Sequence, residues 1–232
     1  MATKKAAAEP TPTGVHAVQI KPPNIRTVQF HIEGSTPLVI NRFSAKAMQE
    51  MIETQQAGST AKSKRKREAK DFEAAFHGAR HISTEGWDGI SAAAFRNGMI
   101  SACRIVGFKM TLAKLSVFVV PDGFDTVDGS PLVRITSGKP ERWDSPVRLP
   151  TGQIDVHPRP MWRQWTATVT VNFDADQFTP TDVANLMARV GEQVGTGHPD
   201  DAVDVGVQRR LDLRLGHRDD RHVDEDHEEA DA

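Results

Sequence analysis

The 232-residue chain carries a formal charge of −2, with 38% hydrophobic and only 6% aromatic residues, and its mean hydropathy is negative. That composition suits one domain with a real core flanked by polar tails. The single cysteine, Cys103, excludes an intrachain disulfide and a cysteine-built zinc site. No apolar run comes near the ~18 residues of a membrane span and no apolar signal region opens the chain, so the expectation is a soluble, cytoplasmic protein.

The small net charge conceals an asymmetry. From His198 onward there are five arginines, no lysine and twelve carboxylates, which leaves 24 basic against 19 acidic residues before it. A mildly basic body suits a polyanionic partner.

Residues 1–26, with Lys4, Lys5, an alanine run and Pro22-Pro23, offer too few large apolar groups to offset the entropy of ordering and read as a flexible arm. From Thr27 the alternation of Val28, Phe30 and Ile32 with polar residues predicts a half-buried strand that runs towards Thr36-Pro-Leu38. An insertion spans about 45–82. It opens with helical spacing in Met48, Met51 and Ile52, breaks at residues 57–60, and continues as a basic run with six cations in nine positions from Lys62. Lys62, Lys64, Arg65, Lys66 and Arg67 are candidate phosphate contacts, since each cation that displaces a counterion adds salt-dependent affinity; a solvated loop and helix start is the competing reading. Phe72, Phe76 and Ala79 then form a short helical stripe. Glu73, His77 and His81 share one helical face at metal-ligand spacing, but no second acidic or cysteine cluster completes a site, so surface or packing histidines are expected, with no metal and no cofactor.

Asp88 to Gly107 has start signal, stripe and stop together. Ser91 is placed to accept from a first-turn N–H, Phe95, Met99, Ala102 and Val106 recur at four-three-four spacing, and Gly107 supplies a left-handed exit. Arg96 and Arg104 lie outside that stripe and are candidate contacts to a nucleic-acid backbone. Residues 114–120 alternate as a strand ending at a Pro121-Asp-Gly123 turn, with residues 132–135 as a hairpin partner. From Gly138 to Trp165, Arg142, Trp143, Arg148, Arg159, Trp162 and Arg163 interleave cations with flat aromatic faces among prolines. This suits stacked single-stranded bases; it equally suits a long hairpin whose tryptophans plug the core edge.

Residues 165–173 alternate as a strand with threonines outward. Thr179-Pro-Thr-Asp182 is a capping signal for a second helix with the stripe Val183, Met187, Val190 and Val194. Strand, helix, strand thus occurs twice, the plan of an α+β split βαβ: a ferredoxin-like or RRM-like antiparallel sheet with two helices on one face. It covers 27–197 and calls for one more strand. The tail from His198 to Ala232 is acidic and of low complexity instead. Back-translated with C- or G-ending codons, a reading frame shifted by one base near codon 198 can encode the further strand that the plan calls for, and the nucleotide sequence decides it.

Three pieces resemble the RAMP superfamily of CRISPR-associated RNA-binding proteins: Thr36-Pro-Leu38 after the first strand, Ile90-Ser-Ala-Ala-Ala-Phe-Arg96 at the helix start, and Val194-Gly-Thr-Gly197 after the second helix. The chain departs from the family where Ser91 replaces a proline, alanines replace serines, and Asn97 replaces a glycine. Its inserted basic segment and Trp/Arg region also resemble uncharacterised phage and prophage proteins. The resemblance implies a non-catalytic protein that binds RNA or single-stranded DNA through phosphates and stacked bases. The alternative is a phage structural or assembly protein forming homo-oligomers; an endoribonuclease is less favoured, because His31, His77 and His81 show no recognisable partner in the sequence.

Overall fold

Period-two alternation produces the first strand, β1 (Ile25–Glu33), whose Val28, Phe30 and Ile32 are buried between exposed neighbours. The structure, a computed structural model, describes residues 20–58, 69–148 and 152–195. After β1 come β2 (Leu38–Val39), α1 (Ala45–Ala57), α2 (Phe72–Gly78), β3 (Gly89–Ser91), α3 (Ala92–Ile105), α4 (Met110–Ser116) and β4 (Val117–Val120). The second half holds β5 (Gly123–Phe124), β6 (Pro131–Ser137), β7 (Glu141–Arg148), β8 (Ile154–Trp162), β9 (Thr166–Asp174) and α5 (Pro180–Arg189), which continues as a π-helical turn, Val190–Val194. The basic residues Lys62 to Arg67, the arm up to residue 19 and the tail from 198 lie outside the described residues.

The strand β9 organises the larger sheet. One edge pairs antiparallel with all of β1, from Ile25 opposite Asp174 to Glu33 opposite Thr166. The other edge is shared: β4 takes residues 170–173 and β6 takes residues 166–167, both antiparallel. Ala167, Val169, Val171 and Phe173 turn one face of β9 into the core, as the alternation predicts. Against that face pack α3 and α5, through Phe95, Met99, Val183 and Met187 among others. The result is a mixed α+β chain with antiparallel sheets. A smaller sheet, in the order β2-β8-β7, carries the proline-rich hairpin.

Several expectations need correcting. The central helix begins at Ala92 because residues 89–91 are drawn into β3, which pairs with β6 (Ile90 opposite Val133). Ser91 stands at the N-cap but its side chain caps no N–H, and Val106 is 50% exposed, its expected core place being taken by Ile100 and Cys103. Gly107 does supply the left-handed exit, at φ 74°. Residues 114–116, expected as strand, are the last turn of α4, whose Ser116 hydroxyl bonds back to the Leu112 carbonyl. The partner of β4 is β9, not residues 132–135; of these, residues 132–134 pair with β3, Leu132 also with β5, and Ile135 with β9.

The second helix starts as its sequence directs. Thr179 Oγ1 accepts from the Asp182 N–H at 3.2 Å, and Asp182 Oδ2 accepts from the Thr179 N–H at 2.8 Å and its hydroxyl at 2.7 Å. Those hydrogen bonds hold the Asp182 carboxyl below its ordinary range. A carboxyl lowered on folding stabilises the protein fully above its unfolded value, and the contribution fades as pH falls through the lowered one. Asp182→Asn is therefore expected to shrink the acid dependence of stability below about pH 4. Urea melts at a neutral and an acidic pH measure it, and equal acid sensitivity in both proteins would contradict it.

Candidate nucleic-acid interface

The face of the larger sheet that turns away from the helices is built by the outward half of each alternation. Thr27 donates to Asn172 Oδ1 at 2.8 Å, Gln29 to the Thr170 hydroxyl at 3.3 Å, and His31 Nδ1 meets the Thr168 hydroxyl at 3.0 Å. Each pair is a cross-strand register pair of β1 and β9, and all three hydrogen bonds are exposed. Beyond β9, Thr136 and Thr166 bond hydroxyl to hydroxyl at 2.7 Å. The result is a field of hydroxyl, amide and imidazole groups, with the carboxylates Glu33 and Asp174 at its two ends and Glu85 beside it, accepting from Trp87 Nε1 at 3.1 Å.

Aromatic rings bracket this field, each with a guanidinium. Phe118 lies opposite Asn172 on β4 and is 41% exposed, and Arg96 Cζ stands 5.3 Å from its ring centre. At the other corner Arg134 Cζ stands 5.8 Å from the Trp87 ring; Arg134 is directly opposite Gly89, whose absent side chain leaves room for that ring. Rings of this kind offer π-faces to a planar ligand, and the hydroxyls and amides between them offer donors and acceptors.

The candidates read from the sequence separate into groups. Arg96 is an anchor as well as a ring partner: its Nε donates to the Val117 carbonyl at 3.0 Å and Nη2 to the Lys114 carbonyl, which clamps α3 to the junction of α4 and β4. Arg104 and Arg148 are exposed. Arg142 is engaged by Glu73 and Asp144, and Arg163 by Glu141 at 2.8 Å, all as surface ion pairs. Trp143 is half-buried. For Trp162 and Arg159 the expectation of ligand contact is corrected: they are 1% and 6% exposed, and Trp162 packs in the core with Trp165. The tryptophans at this end therefore plug the core edge. Lys62, Lys64, Arg65, Lys66 and Arg67 are outside the described residues, while Lys70, the last cation of that run, is held by Asp155 at 3.2 Å.

A second polar cluster joins distant segments. Asp125, whose side chain is wholly buried, accepts from Arg42 Nη1 at 3.0 Å and from His81 Nδ1 at 2.8 Å. Arg42 also donates Nε to the Gly78 carbonyl, and beside it Arg80 makes a two-point pair with Asp88, both contacts 2.8 Å. His81 thus has the partner that the sequence does not reveal. It is turned from the face shared by Glu73 and His77, which pair with each other at 3.3 Å. Among the described residues no cluster of three His, Cys, Asp or Glu side chains is arranged to hold a metal, and no helix is long and apolar enough to cross a membrane.

Comparison of the chain with protein-family models, with curated proteins and with solved structures found no match. Sequence reasoning left Thr27, Gln29, His31, Phe118 and Asn172 out of the candidate site. The signal was the outward half of the same alternation that marks the strands.

Proposed function

We propose that the chain binds single-stranded nucleic acid, RNA or DNA, without catalysing its cleavage, as a phage or prophage protein of RAMP-like, ferredoxin-like build. The observation that carries this is the open sheet face, where Phe118 and Trp87, each paired with an arginine, flank a neutral hydrogen-bonding field. Bases present π-faces and polar edges to such a surface, and the guanidinium groups of Arg96 and Arg134 beside the rings bring positive charge to it. The build is supported by the neighbour order β1-β9-β4, all antiparallel, with α3 and α5 on one face. In a split βαβ plan the outer edge of β1, which pairs with no strand among the described residues, would take the fourth strand.

Fluorescence anisotropy with labelled single-stranded oligonucleotides at two salt concentrations tests the reading. Salt-sensitive binding is expected, and Phe118→Ala should weaken it roughly 5- to 150-fold, the value of one stacked base, while leaving the salt slope unchanged. No association with any oligonucleotide would end the proposal.

A further inference from the structure

Strand β1 offers nine residues of backbone along an edge that pairs with no strand among the described residues. Val28, Phe30 and Ile32 point from it into the core, and Gln29, His31 and Glu33 are exposed between and beyond them. An open row of N–H and C=O groups is a template for one more strand.

The chain leaves α5 heading for the Glu33 end of that edge. β9 ends beside the start of β1, where the Ala175 N–H donates to the Asn24 carbonyl at 2.8 Å. α3 runs towards this same end, since β4 follows it with Val117 opposite Phe173. α5 starts here, its Phe178 ring 4.8 Å from that of Phe108 just past α3. The π-helical extension of α5 lies against the middle of α3, where a β-carbon on Gly98 would stand 2.9 Å from Val190 Cγ1 and 3.5 Å from the Gly195 carbonyl oxygen. α5 therefore runs antiparallel to α3 and points Gly195 towards the Glu33 end. Beyond it, Leu211-Asp-Leu-Arg-Leu215 alternates with period two. The 15 residues from Gly195 to Arg210 can span about 50 Å, more than the roughly 30 Å length of a strand such as β1.

We infer that residues 210–215 add to the outer edge of β1 as an antiparallel fourth strand, in the reading frame as it stands, with Arg210 opposite Glu33 and Leu215 opposite Val28. In this register Leu211, Leu213 and Leu215 share the core side with Ile32, Phe30 and Val28. On the outward side Arg210 meets a carboxylate, and Asp212 sets an acceptor beside the His31 ring. Apolar and opposite-charge cross-strand pairs both favour such an alignment, and a slip of one residue would turn every leucine outward. Val203-Asp-Val-Gly-Val207 alternates as well, but only Asp204 and Gly206 stand between its valines, and neither answers Glu33. Arg214 falls opposite Gln29, which brings a cation to the polar face. The inference rests on the split βαβ build proposed above and not on nucleic-acid binding.

Cysteine pairing and hydrogen exchange on nuclease-treated full-length protein test it, and neither uses an oligonucleotide, so failure of the strand and failure of binding are separate results. Gln29→Cys combined with Arg214→Cys should form an intramolecular disulfide under mild oxidation in dilute solution, because directly opposed strand residues lie within disulfide reach. Gln29→Cys with Gly206→Cys should not, and Cys103 is buried in both proteins. In wild-type protein the β1 amides turned away from β9 should exchange at least about tenfold more slowly than in Leu213→Asp, whose carboxylate would face the core side. Near-ultraviolet circular dichroism verifies that each variant is folded. Equal exchange in the two proteins overturns the inference. So does a disulfide that forms as readily from position 206 as from 214, or one that links two copies of the chain.

Discussion

Asp125→Ala is expected to lower the free energy of unfolding by about 3–5 kcal/mol, the range for removing one partner from a buried ion pair. The carboxylate is fully buried, and it neutralises Arg42, whose side chain is only 11% exposed. It also accepts from the Val127 N–H at 2.8 Å, which shapes its own turn. The variant would strand a guanidinium, an imidazole and a backbone N–H together. His81→Ala removes one hydrogen bond and leaves the ion pair, so its cost should be nearer about 1–3 kcal/mol. Urea denaturation of the three proteins measures both. A loss under about 1 kcal/mol for Asp125→Ala would place the pair with solvated surface bridges.

Gly34→Ala is expected to cost about 2–3 kcal/mol or more through overpacking. A β-carbon at Gly34 would lie 1.9 Å from Trp165 Nε1 and 2.2 Å from Cε2. The ring cannot yield easily. Trp165 is 1% exposed, its ring Nε1 donates to the Thr36 carbonyl at 3.1 Å, and its backbone carbonyl accepts from the Gly34 N–H at 2.9 Å. The signature is a lower urea midpoint with altered tryptophan emission. Pairing Gly34→Ala with Trp165→Phe removes Nε1, the nearest colliding atom, and relieves part of the overlap, so the double variant should lose less than the sum of the singles. Strict additivity would mean the backbone shifts to accommodate the methyl group.

The parts legible in the sequence are those decided by local pattern. The alternation of residues 165–173 and the Thr179–Asp182 capping box carry their own geometry, and both appear in place. Residues 114–116 misled because helix and strand periods are hard to separate over a short apolar stretch, and a seven-residue helix fits between two boundary signals. The Asp125–His81 contact joins residues 44 apart, with no periodicity to announce it. Trp162 and Arg159 belong to a segment in which the same composition serves a ligand or a core, and only burial distinguishes them. The sheet-face site was hidden differently. Its threonines and amides look like ordinary solvated positions until β4 and β6 bring Phe118 and Arg134 alongside them.

The position of β9 has a consequence for biosynthesis. Its partner β1 is made first, and the hydrogen bond from Thr27 to Asn172 alone joins residues 145 apart in the chain. During translation β1 must wait, with its apolar Val28, Phe30 and Ile32 unsheltered, until the chain has been synthesised as far as β9. Such long-range closure is slow and leaves a sticky strand exposed to neighbouring chains. Ribosome-bound chains halted before residue 166 should therefore be the species that recruits holdase chaperones, and those extended past residue 174 should release them.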